Sequence, residues 1–268
     1  MRLAILSDIH SNLPALEAVI EAIDGSDADQ LWCLGDVVGY GAQPNECASV
    51  VSERCELSLV GNHDLAVLGE LDVAAFSPAA AEAVEWTKAN SAKQTLDFLR
   101  ALKPADETRE VGLYHASPRD PIWEYVLWVD QAAECMEVQS ARVSLIGHSH
   151  VALFFRSPES RNGDKEKSTE GDAGGVEEVG RQSQPRDAKG AHAAAGTTIE
   201  LGEGRWLVNP GSVGQPRDGD PRAAWLELDT DAWTATYHRV EYEIDDAAEA
   251  INDAGLPGQL ARRLYVGQ

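Results

Sequence analysis

Cysteine is scarce in this chain, and its spacing argues against two classes of protein. Only four cysteines occur in 268 residues, and none forms a Cys-x-x-Cys pair. Cys33 lies inside an apolar run, where a thiol commonly belongs to a core. A zinc ribbon and a disulfide framework are therefore not expected, and we predict reduced, mostly structural thiols.

Long hydrophobic runs are also missing. No stretch approaches the roughly 18 apolar residues that a membrane-spanning helix needs. Met1 is followed at once by a short strand-like run, residues 2–6, which is too short for a signal peptide. We therefore expect a soluble, cytoplasmic protein without membrane association, either a monomer or a small homo-oligomer.

Positive charge is the third scarcity. The chain has 22 Lys and Arg, six of them Lys, against 45 Asp and Glu, for a formal charge of -23. Such a surface repels phosphate backbones and anionic lipids, so generic nucleic-acid binding is not expected. In molar salt, where screening acts over about 3 Å, most of the self-repulsion disappears. The composition fits a halophilic cytoplasm or, alternatively, an ordinary acidic enzyme.

The first sixty residues alternate between strand and helix patterns. Residues 2–7 read as a strand, and apolar residues at helical spacing follow from Leu13. Strands are predicted again at 31–34 and 57–60, with a helix at about 43–54 between them. Two successive β-α-β units predict a sheet that begins parallel, within a single domain spanning residues 1–268.

Residues 72–103 break this alternation and predict a helical hairpin. Ser77, followed by proline, opens an Ala-rich helix, and Ser91 with Gln94 resembles a capping box for a second helix. The hairpin would cover one face of the sheet or form a lid over the site. Strands at 111–114 and 143–146 follow, separated by a helix near 130–140.

A compositional change marks residues 157–196. They are rich in Gly, Asp, Glu, Lys, Ser and Ala, which predicts a disordered acidic insertion, with His192 in solvent. The insertion would interrupt a hairpin formed by residues 151–155 and 197–201. The remaining elements predict a second, more antiparallel sheet and a last helix: 205–208, 223–228 and 233–240, then 245–254.

Five apolar runs end in residues that bind metals. The residues are Asp8 and His10, Asp36, Asn62 and His63, His115, and His148 and His150. Because the carboxyl ends of parallel strands form one edge of a sheet, these groups should converge there. Imidazole, carboxylate and amide donors without a thiolate suit manganese, iron, zinc, cobalt or nickel. The pattern therefore predicts a metal site.

The number of these ligands argues for two ions. A carboxylate can bridge two ions with its two oxygens, and Asp36, central in the series, is our choice for the bridge. Two ions roughly 3.5–4 Å apart can polarise a phosphoryl oxygen and activate a water molecule. Phosphoester hydrolysis is the natural use of such a site.

These residues resemble the motifs of the calcineurin-like metallophosphoesterases, in the order that the family has them. The motifs are Asp8-Ile9-His10, Gly35-Asp36, Gly61-Asn62-His63-Asp64, His115 and Gly147-His148-Ser149-His150. The resemblance covers the chain apart from the insertion. Residues 35–41, 115–121 and 209–217 look most like the small prokaryotic phosphodiesterase branch. Protein phosphatases of the family carry Asp-Arg-Gly where this chain has Gly39-Tyr40-Gly41, which argues against that activity.

The resemblance implies an α/β fold, a four-layer α-β-β-α sandwich of two mixed sheets flanked by helices. It assigns metal ligands as follows: Asp8, His10 and His150 to one ion, Asn62, His115 and His148 to the other, and Asp36 to both. It makes His63 the catalytic group that assists the leaving oxygen, with Asp64 as its orienting partner. It thus implies two divalent ions, manganese first among them, and hydrolysis of a small phosphodiester by a metal-bound hydroxide.

Other roles stay open. Arg119 and Arg217 would clamp a substrate phosphate or form structural ion pairs in turns. Trp123 and Tyr125 would stack on a nucleobase or pack against the core. The alternatives to a phosphodiesterase are a phosphomonoesterase, a dinucleoside polyphosphate hydrolase, a nucleotide-binding sensor and a scaffold that lost the reaction. A scaffold would have no use for His63.

Overall fold

Strands and helices alternate through most of the chain as predicted. The structure, a computed structural model, describes residues 1–158 and 187–268. The strands are β1 (Arg2–Leu6), β2 (Gln30–Cys33), β3 (Leu57–Ser58), β4 (Ala105–Asp106), β5 (Val111–Tyr114), β6 (Val143–Leu145), β7 (Ala152–Ser157), β8 (Lys189–His192), β9 (Thr198–Glu200), β10 (Arg205–Pro210), β11 (Ala223–Asp229) and β12 (Thr234–Val240). The α-helices are α1 (Leu13–Asp24), α2 (Pro44–Arg54), α3 (Asn62–Leu68), α4 (Pro78–Asn90), α5 (Lys93–Arg100), α6 (Val129–Val138), α7 (Ile244–Asp253) and α8 (Gly258–Leu264).

The described strands form two mixed sheets of six strands each. The first has the order β3-β2-β1-β11-β12-β9, in which β1, β2 and β3 are parallel and β11 joins β1 antiparallel. The second has the order β4-β5-β6-β10-β7-β8, in which β5, β6 and β10 are parallel. The carboxyl ends of five strands that precede the candidate ligands are therefore available to one crevice.

The side chains of β1 show how the layers are held together. Leu3 and Ile5 pack between the two sheets, in a cluster with residues of β5, β6 and β10. Ala4 and Leu6 point the other way, toward α1, as the alternation of a strand requires. On the outer face of the second sheet, α6 packs against β7 and β10. The α-β-β-α sandwich predicted from the resemblance is thus confirmed.

Two predictions about the later strands are wrong. The C-terminal strands do not form a separate sheet, because β10 joins the second sheet while β11 and β12 join the first. The predicted hairpin partner of β7 is wrong as well, since β7 pairs with β8 and β9 pairs with β12. An alternating pattern of apolar residues indicates a strand, but it does not identify the strand with which that segment pairs.

The predicted disorder of residues 157–196 is wrong at both of its ends. Ser157 is the last residue of β7, and Lys189–His192 forms β8 along the edge of the second sheet. Backbone pairing with β7 holds β8 in place, although all four of its residues are exposed. His192 is exposed, as predicted. Residues 159–186 of the predicted insertion lie outside the described residues.

Two helices, α4 and α5, occupy the region of the predicted hairpin, and both pack against α3. One of the predicted caps is wrong. The Ser77 side chain caps α4 by accepting a hydrogen bond from the backbone N–H of Ala80. The Ser91 hydroxyl instead donates to the carbonyl of Thr87, and α5 begins after Ala92. Ser91 therefore ends the first helix and does not cap the second.

The helices are short or carry charges along their length. Within residues 1–158 and 187–268, none combines the length and the hydropathy that a membrane span requires. The four cysteines, Cys33, Cys47, Cys55 and Cys135, are free, and all but Cys55 are buried.

Candidate metal centre

The seven predicted ligands lie together at the carboxyl ends of the strands. Asp8 and His10 follow β1, Asp36 follows β2, and Asn62 opens α3 after β3. His115 follows β5, and His148 and His150 follow β6. All seven are buried. Five strand-to-loop transitions from two sheets therefore deliver donors to one place.

The donor atoms form two groups that share one residue. One potential ligand atom each from Asp8, His10, Asp36 and His150 lies within 4.8 Å of the others, and Asp36, His115 and His148 form a second such group. The Asn62 side-chain oxygen lies 3.1 Å from Nε2 of His115, which adds an oxygen to the second group. Asp36 is the residue common to both.

Carbonyl oxygens around the groups fix the orientation of the histidines. Nδ1 of His10 lies 3.2 Å from the Val38 carbonyl, and Nδ1 of His115 lies 2.9 Å from the Leu34 carbonyl. His150 makes the same contact, with Nδ1 2.6 Å from the Gln215 carbonyl. A proton on Nδ1 leaves the lone pair on Nε2, toward the ligand groups.

His148 is held the other way round. Its Nε2 lies 3.2 Å from the carbonyl of Trp123, so its Nδ1 is the nitrogen left for a ligand role. The His148 backbone N–H lies 3.1 Å and 3.2 Å from the two carboxylate oxygens of Asp8. The backbone N–H of His148, a residue of the second group, therefore links that group to Asp8 of the first.

Two features of the donors fit bound cations. Oδ2 of Asp36 is buried without a hydrogen-bond partner among the described residues, 3.5 Å from Nε2 of His10 and 3.6 Å from Nε2 of His115. Nε2 of His10 and Nε2 of His150 face each other at 3.1 Å, although both carry lone pairs when Nδ1 is protonated. Lone pairs so close repel unless a positive charge lies beside them, so this donor set suits divalent ions.

Burial sets the charge states of the donors. It raises the pKa of the Asp8 carboxyl to about 7 and lowers the pKa values of His10, His148 and His150 well below the ordinary value. These histidines are therefore neutral near pH 7. Neutral imidazole is the form that binds metals.

Five of the candidate ligands have a left-handed backbone. The φ angles of Asp8, His10, Asp36, His148 and His150 are 54°, 51°, 52°, 63° and 59°. Residues with a Cβ rarely adopt this region, and each such residue costs about 1–3 kcal/mol unless its surroundings hold it. The surroundings include the backbone hydrogen bonds that Asp8 and His10 donate to Gly35 and Asp36.

His63 lies beside the ligand groups. Its ring meets the His10 ring edge-to-face at 4.8 Å, and its backbone N–H donates to Oδ1 of Asp36 over 2.9 Å. The ring is also 4.3 Å from Tyr40 and 4.9 Å from Phe76. Its Nδ1 is buried and has no hydrogen-bond partner in the described structure, which leaves Nε2 as the nitrogen available to a ligand.

The predicted partnership of Asp64 with His63 is wrong. The Asp64 carboxylate accepts hydrogen bonds from the backbone N–H groups of Gly61, Val37 and Val38, at 2.9, 3.3 and 2.9 Å. It therefore caps α3 and fastens the loop after Asp36. The three backbone donors engage both oxygens, and Nδ1 of His63 has no hydrogen-bond partner among the described residues.

Arg119 and Arg217 have different hydrogen-bond and ion-pair partners. Arg119 pairs with Glu124, at 3.1 Å, and with Glu134, which is the ion-pair alternative left open by the sequence. Nη2 of Arg217 donates to Oε1 of Gln215 over 2.9 Å and to the Tyr40 hydroxyl over 3.3 Å. After burial, Arg217 is the largest cause of the lowered pKa values of His63 and His150. Arg217 thus lies at the ligand groups.

Aromatic side chains form a wall beside the centre. Tyr125 stacks on the His148 ring at 4.1 Å and is 44% exposed, so part of it faces solvent. Trp123 contacts Phe76 at 5.1 Å, and Phe76 in turn contacts His63. Neither Tyr40 nor Phe76 was predicted from the sequence to lie at the site. Tyr40 falls within the motif at residues 35–41, which was a usable signal, whereas nothing in the local sequence marked Phe76.

Comparison with known proteins places this geometry in a family. The model of the calcineurin-like phosphoesterase superfamily domain matches residues 1–231. An uncharacterized protein of Methanocaldococcus jannaschii is 35% identical over 273 residues, covering 99% of this chain and 98% of its own.

Two solved structures share the fold over the whole chain. A metallophosphoesterase from Sphaerobacter thermophilus has a TM-score of 0.81 at 37% identity, with 100% of both chains covered. A hypothetical protein from Pyrococcus horikoshii OT3 has a TM-score of 0.72 at 17% identity, covering 100% of this chain and 98% of that one; it shows the fold alone. From its motifs, its fold and the family match, this chain belongs to the calcineurin-like phosphoesterase superfamily.

Proposed function

We propose that this protein hydrolyses small phosphodiesters with two divalent metal ions. The observation that carries the proposal is the position of Asp36, whose unpartnered Oδ2 lies 3.5 Å from Nε2 of His10 and 3.6 Å from Nε2 of His115. Family membership supports a metal-dependent phosphoester hydrolase. The seven buried donors support two ions, and the imidazole, carboxylate and amide donors without a thiolate suit manganese, our first choice, as well as iron, zinc, cobalt or nickel.

Two such ions, when bound, would stabilise charge on a phosphoryl oxygen and lower the pKa of a nearby water molecule. Asp8, His10 and His150 would hold one ion, Asn62, His115 and His148 the other, and Asp36 both. The carbonyls behind the histidines keep each donor nitrogen in place before substrate arrives.

His63 would act on the leaving oxygen through Nε2. Burial lowers the pKa of its imidazole well below the ordinary value, so the ring is neutral near pH 7. A neutral ring whose Nδ1 is enclosed best carries its proton on Nε2, from which it donates a hydrogen bond to the departing alkoxide. Arg217 would bind a phosphate oxygen beside it, while the ion-paired Arg119 takes no part.

Diesters are proposed ahead of monoesters because the motifs at residues 35–41, 115–121 and 209–217 resemble the phosphodiesterase branch. One observation also favours nucleotide-derived substrates: Tyr125 stacks on His148 and keeps an exposed aromatic face. A base or another aromatic leaving group would stack there, a contact worth about 1 kcal/mol.

The test is a substrate panel with the metal varied. Phosphomonoesters, linear and cyclic diesters and dinucleoside polyphosphates are assayed with Mn, Co, Ni, Zn or Mg. We expect diesters to give the highest kcat/KM, with manganese the best metal. Faster monoester hydrolysis would contradict the diester preference, and no hydrolysis of any ester with any metal would contradict the enzyme.

The panel is repeated at low and molar salt, because the charge of -23 and the six lysines favour a salt-adapted surface. We expect activity to be retained in molar KCl. Loss of activity there would favour an ordinary acidic cytoplasmic enzyme.

A further inference from the structure

Tyr40 contacts three side chains that have different roles in the proposed reaction. Its ring meets the ring of His10, a candidate metal ligand, at 4.6 Å, and the ring of His63 at 4.3 Å. The guanidinium carbon of Arg217 lies 5.7 Å from the centroid of the same ring, within the range of a cation–π contact. One buried aromatic residue therefore contacts a ligand, the leaving-group histidine and the phosphate-binding arginine.

The backbone of Tyr40 has a conformation that its own side chain disfavours. Its φ is 58°, in the left-handed region that bulky residues rarely adopt. The neighbouring backbone is held in place, because the Gly41 N–H donates to the His10 carbonyl over 3.0 Å. A glycine at residue 40 would follow the same path without strain. The chain carries an aromatic side chain there despite the cost, which is typical of a residue that the site needs.

Helices hold the Tyr40 ring in its position. Tyr40 belongs to an apolar cluster with alanines of α4 and with Leu260 and Leu264 of α8. Phe76, a partly buried member of the same cluster, contacts His63 at 4.9 Å. A ring locked by such packing can in turn hold the side chains that contact it. Packing alone needs only a hydrophobic residue of similar size, such as phenylalanine, and does not account for the hydroxyl.

The Tyr40 hydroxyl holds the guanidinium of Arg217. It accepts a hydrogen bond from Nη2 over 3.3 Å, and Oε1 of Gln215 accepts from the same nitrogen over 2.9 Å. Nε of Arg217 is buried and has no partner among the described residues, so it is free to donate to a substrate oxygen. A long side chain that is ordered in advance loses less rotamer freedom when it binds, so the hydroxyl favours phosphate binding.

We propose that Tyr40 is a positioning residue, whose ring keeps the His63 imidazole at the leaving oxygen and whose hydroxyl keeps the Arg217 guanidinium at the phosphate. The inference rests on the proposed function, which gives His63 and Arg217 those roles. Loss of the ring misplaces the proton donor and lowers kcat. Loss of the hydroxyl alone loosens Arg217 and weakens substrate binding. A residue that only supports the fold would not separate the two kinetic constants in this way.

The test separates the hydroxyl from the ring with two substitutions. For the manganese-loaded protein, kcat and KM are measured with bis(p-nitrophenyl) phosphate, and the Kd of inorganic phosphate is measured by isothermal titration calorimetry. Tyr40→Phe should raise KM and the phosphate Kd about three- to tenfold, the cost of ordering one long side chain, and lower kcat by less than about threefold. Tyr40→Leu should also lower kcat about 100-fold, because a shift of about 1 Å at a catalytic group has that effect.

Tyr242 provides the matched control, because it is a partly buried tyrosine of the same apolar cluster and its hydroxyl accepts a hydrogen bond from Asn12 over 3.4 Å. Tyr242→Phe and Tyr242→Leu should change thermal unfolding as the Tyr40 variants do, but keep kcat, KM and the phosphate Kd at the parent values. The inference is overturned if Tyr40→Phe leaves KM and the phosphate Kd unchanged, if it lowers kcat as far as Tyr40→Leu does, or if the Tyr242 variants show the same losses.

Failure of the proposed function has a different signature. In that case the parent protein hydrolyses no ester, whereas a parent that hydrolyses the diester without the separation of kcat from KM contradicts the role of Tyr40 alone. The phosphate titration needs no turnover. With an inactive parent, an unchanged phosphate Kd in Tyr40→Phe would overturn the inference as well, and a raised Kd would support the hold of the hydroxyl on Arg217.

Discussion

Gly39 packs directly against the imidazole of His63. A Cβ atom at residue 39 would lie 2.7 Å from Nδ1 of that ring, a distance at which real Cβ atoms are not found. Gly39 also has a φ of 95°, which favours glycine. The backbone of the loop after Asp36 therefore encloses Nδ1 of His63 and leaves Nε2 open.

Gly39→Ala should displace His63 and slow the reaction without removing metal. A shift of about 1 Å at a catalytic group costs about 100-fold in turnover, and the left-handed alanine costs about 1–2 kcal/mol in stability. Steady-state kinetics, metal analysis and thermal unfolding measure the three quantities. Gly255→Ala is the matched control, because Gly255 has a φ of 70° and no atom within 4 Å of an added Cβ. Equal turnover in Gly39→Ala and Gly255→Ala would show that the contact between residue 39 and His63 does not position the imidazole.

His63→Ala should lower kcat by about 100- to 10,000-fold, the usual contribution of a group that assists proton transfer. Its metal content should equal that of the parent protein, because the ligand groups do not include His63. His192→Ala, at an exposed histidine of β8, should change neither quantity. Metal lost together with activity would instead make His63 a ligand.

Asp64→Asn should destabilise the protein by about 3 kcal/mol, because an amide cannot accept all three backbone hydrogen bonds and places an NH2 group against an N–H. Chemical denaturation measures this loss. If Asp64 served instead to orient His63, the variant would lose turnover at unchanged stability.

Asp36→Asn should reduce the bound metal from about two ions per chain to less than one, because Asp36 would hold both ions and an amide nitrogen cannot replace the carboxylate oxygen as a ligand. Metal analysis after dialysis against manganese measures the stoichiometry. Asp97→Asn, at an exposed residue of α5, should retain the parent value. Retention of one full ion would show that only one of the two groups depends on Asp36.

Chelation should lower the melting temperature by about 5 °C or more, because ions at 100 times their Kd stabilise the folded state by about 2.7 kcal/mol per site. Added manganese should restore it. The same treatment of Asp36→Asn should have a much smaller effect. An equal loss in that variant would indicate that the chelator acts elsewhere.

The features that depend on local sequence pattern were predicted correctly. Asp36 and His115 could be placed in one crevice because each follows a strand. That prediction needed only the carboxyl ends of the strands to meet at one edge, whatever the exact order of the strands. The partner of β7 depends on distant pairing, so the sequence predicted the wrong hairpin. Ser91 carries the residues of a cap, yet its hydroxyl donates to the preceding turn instead.

The remaining errors concern side chains that act across long sequence separations. Asp64 follows His63 directly, which suggested a pair, but the backbone at Val37 and Val38 comes back to meet its carboxylate. Helix α8 was not predicted from the sequence either, and its apolar residues pack in one cluster with Tyr40, far away in the sequence.

The left-handed backbone of five candidate ligands has a consequence for selection. When metal is withheld, a protein evolved or engineered only to resist heat would gain by replacing Asp8, His10 or Asp36 with glycine, which adopts φ values near 50° without a steric penalty. Such descendants would be inert. Screens in metal-free media that rank variants by thermal stability would therefore enrich molecules that have lost the metal centre.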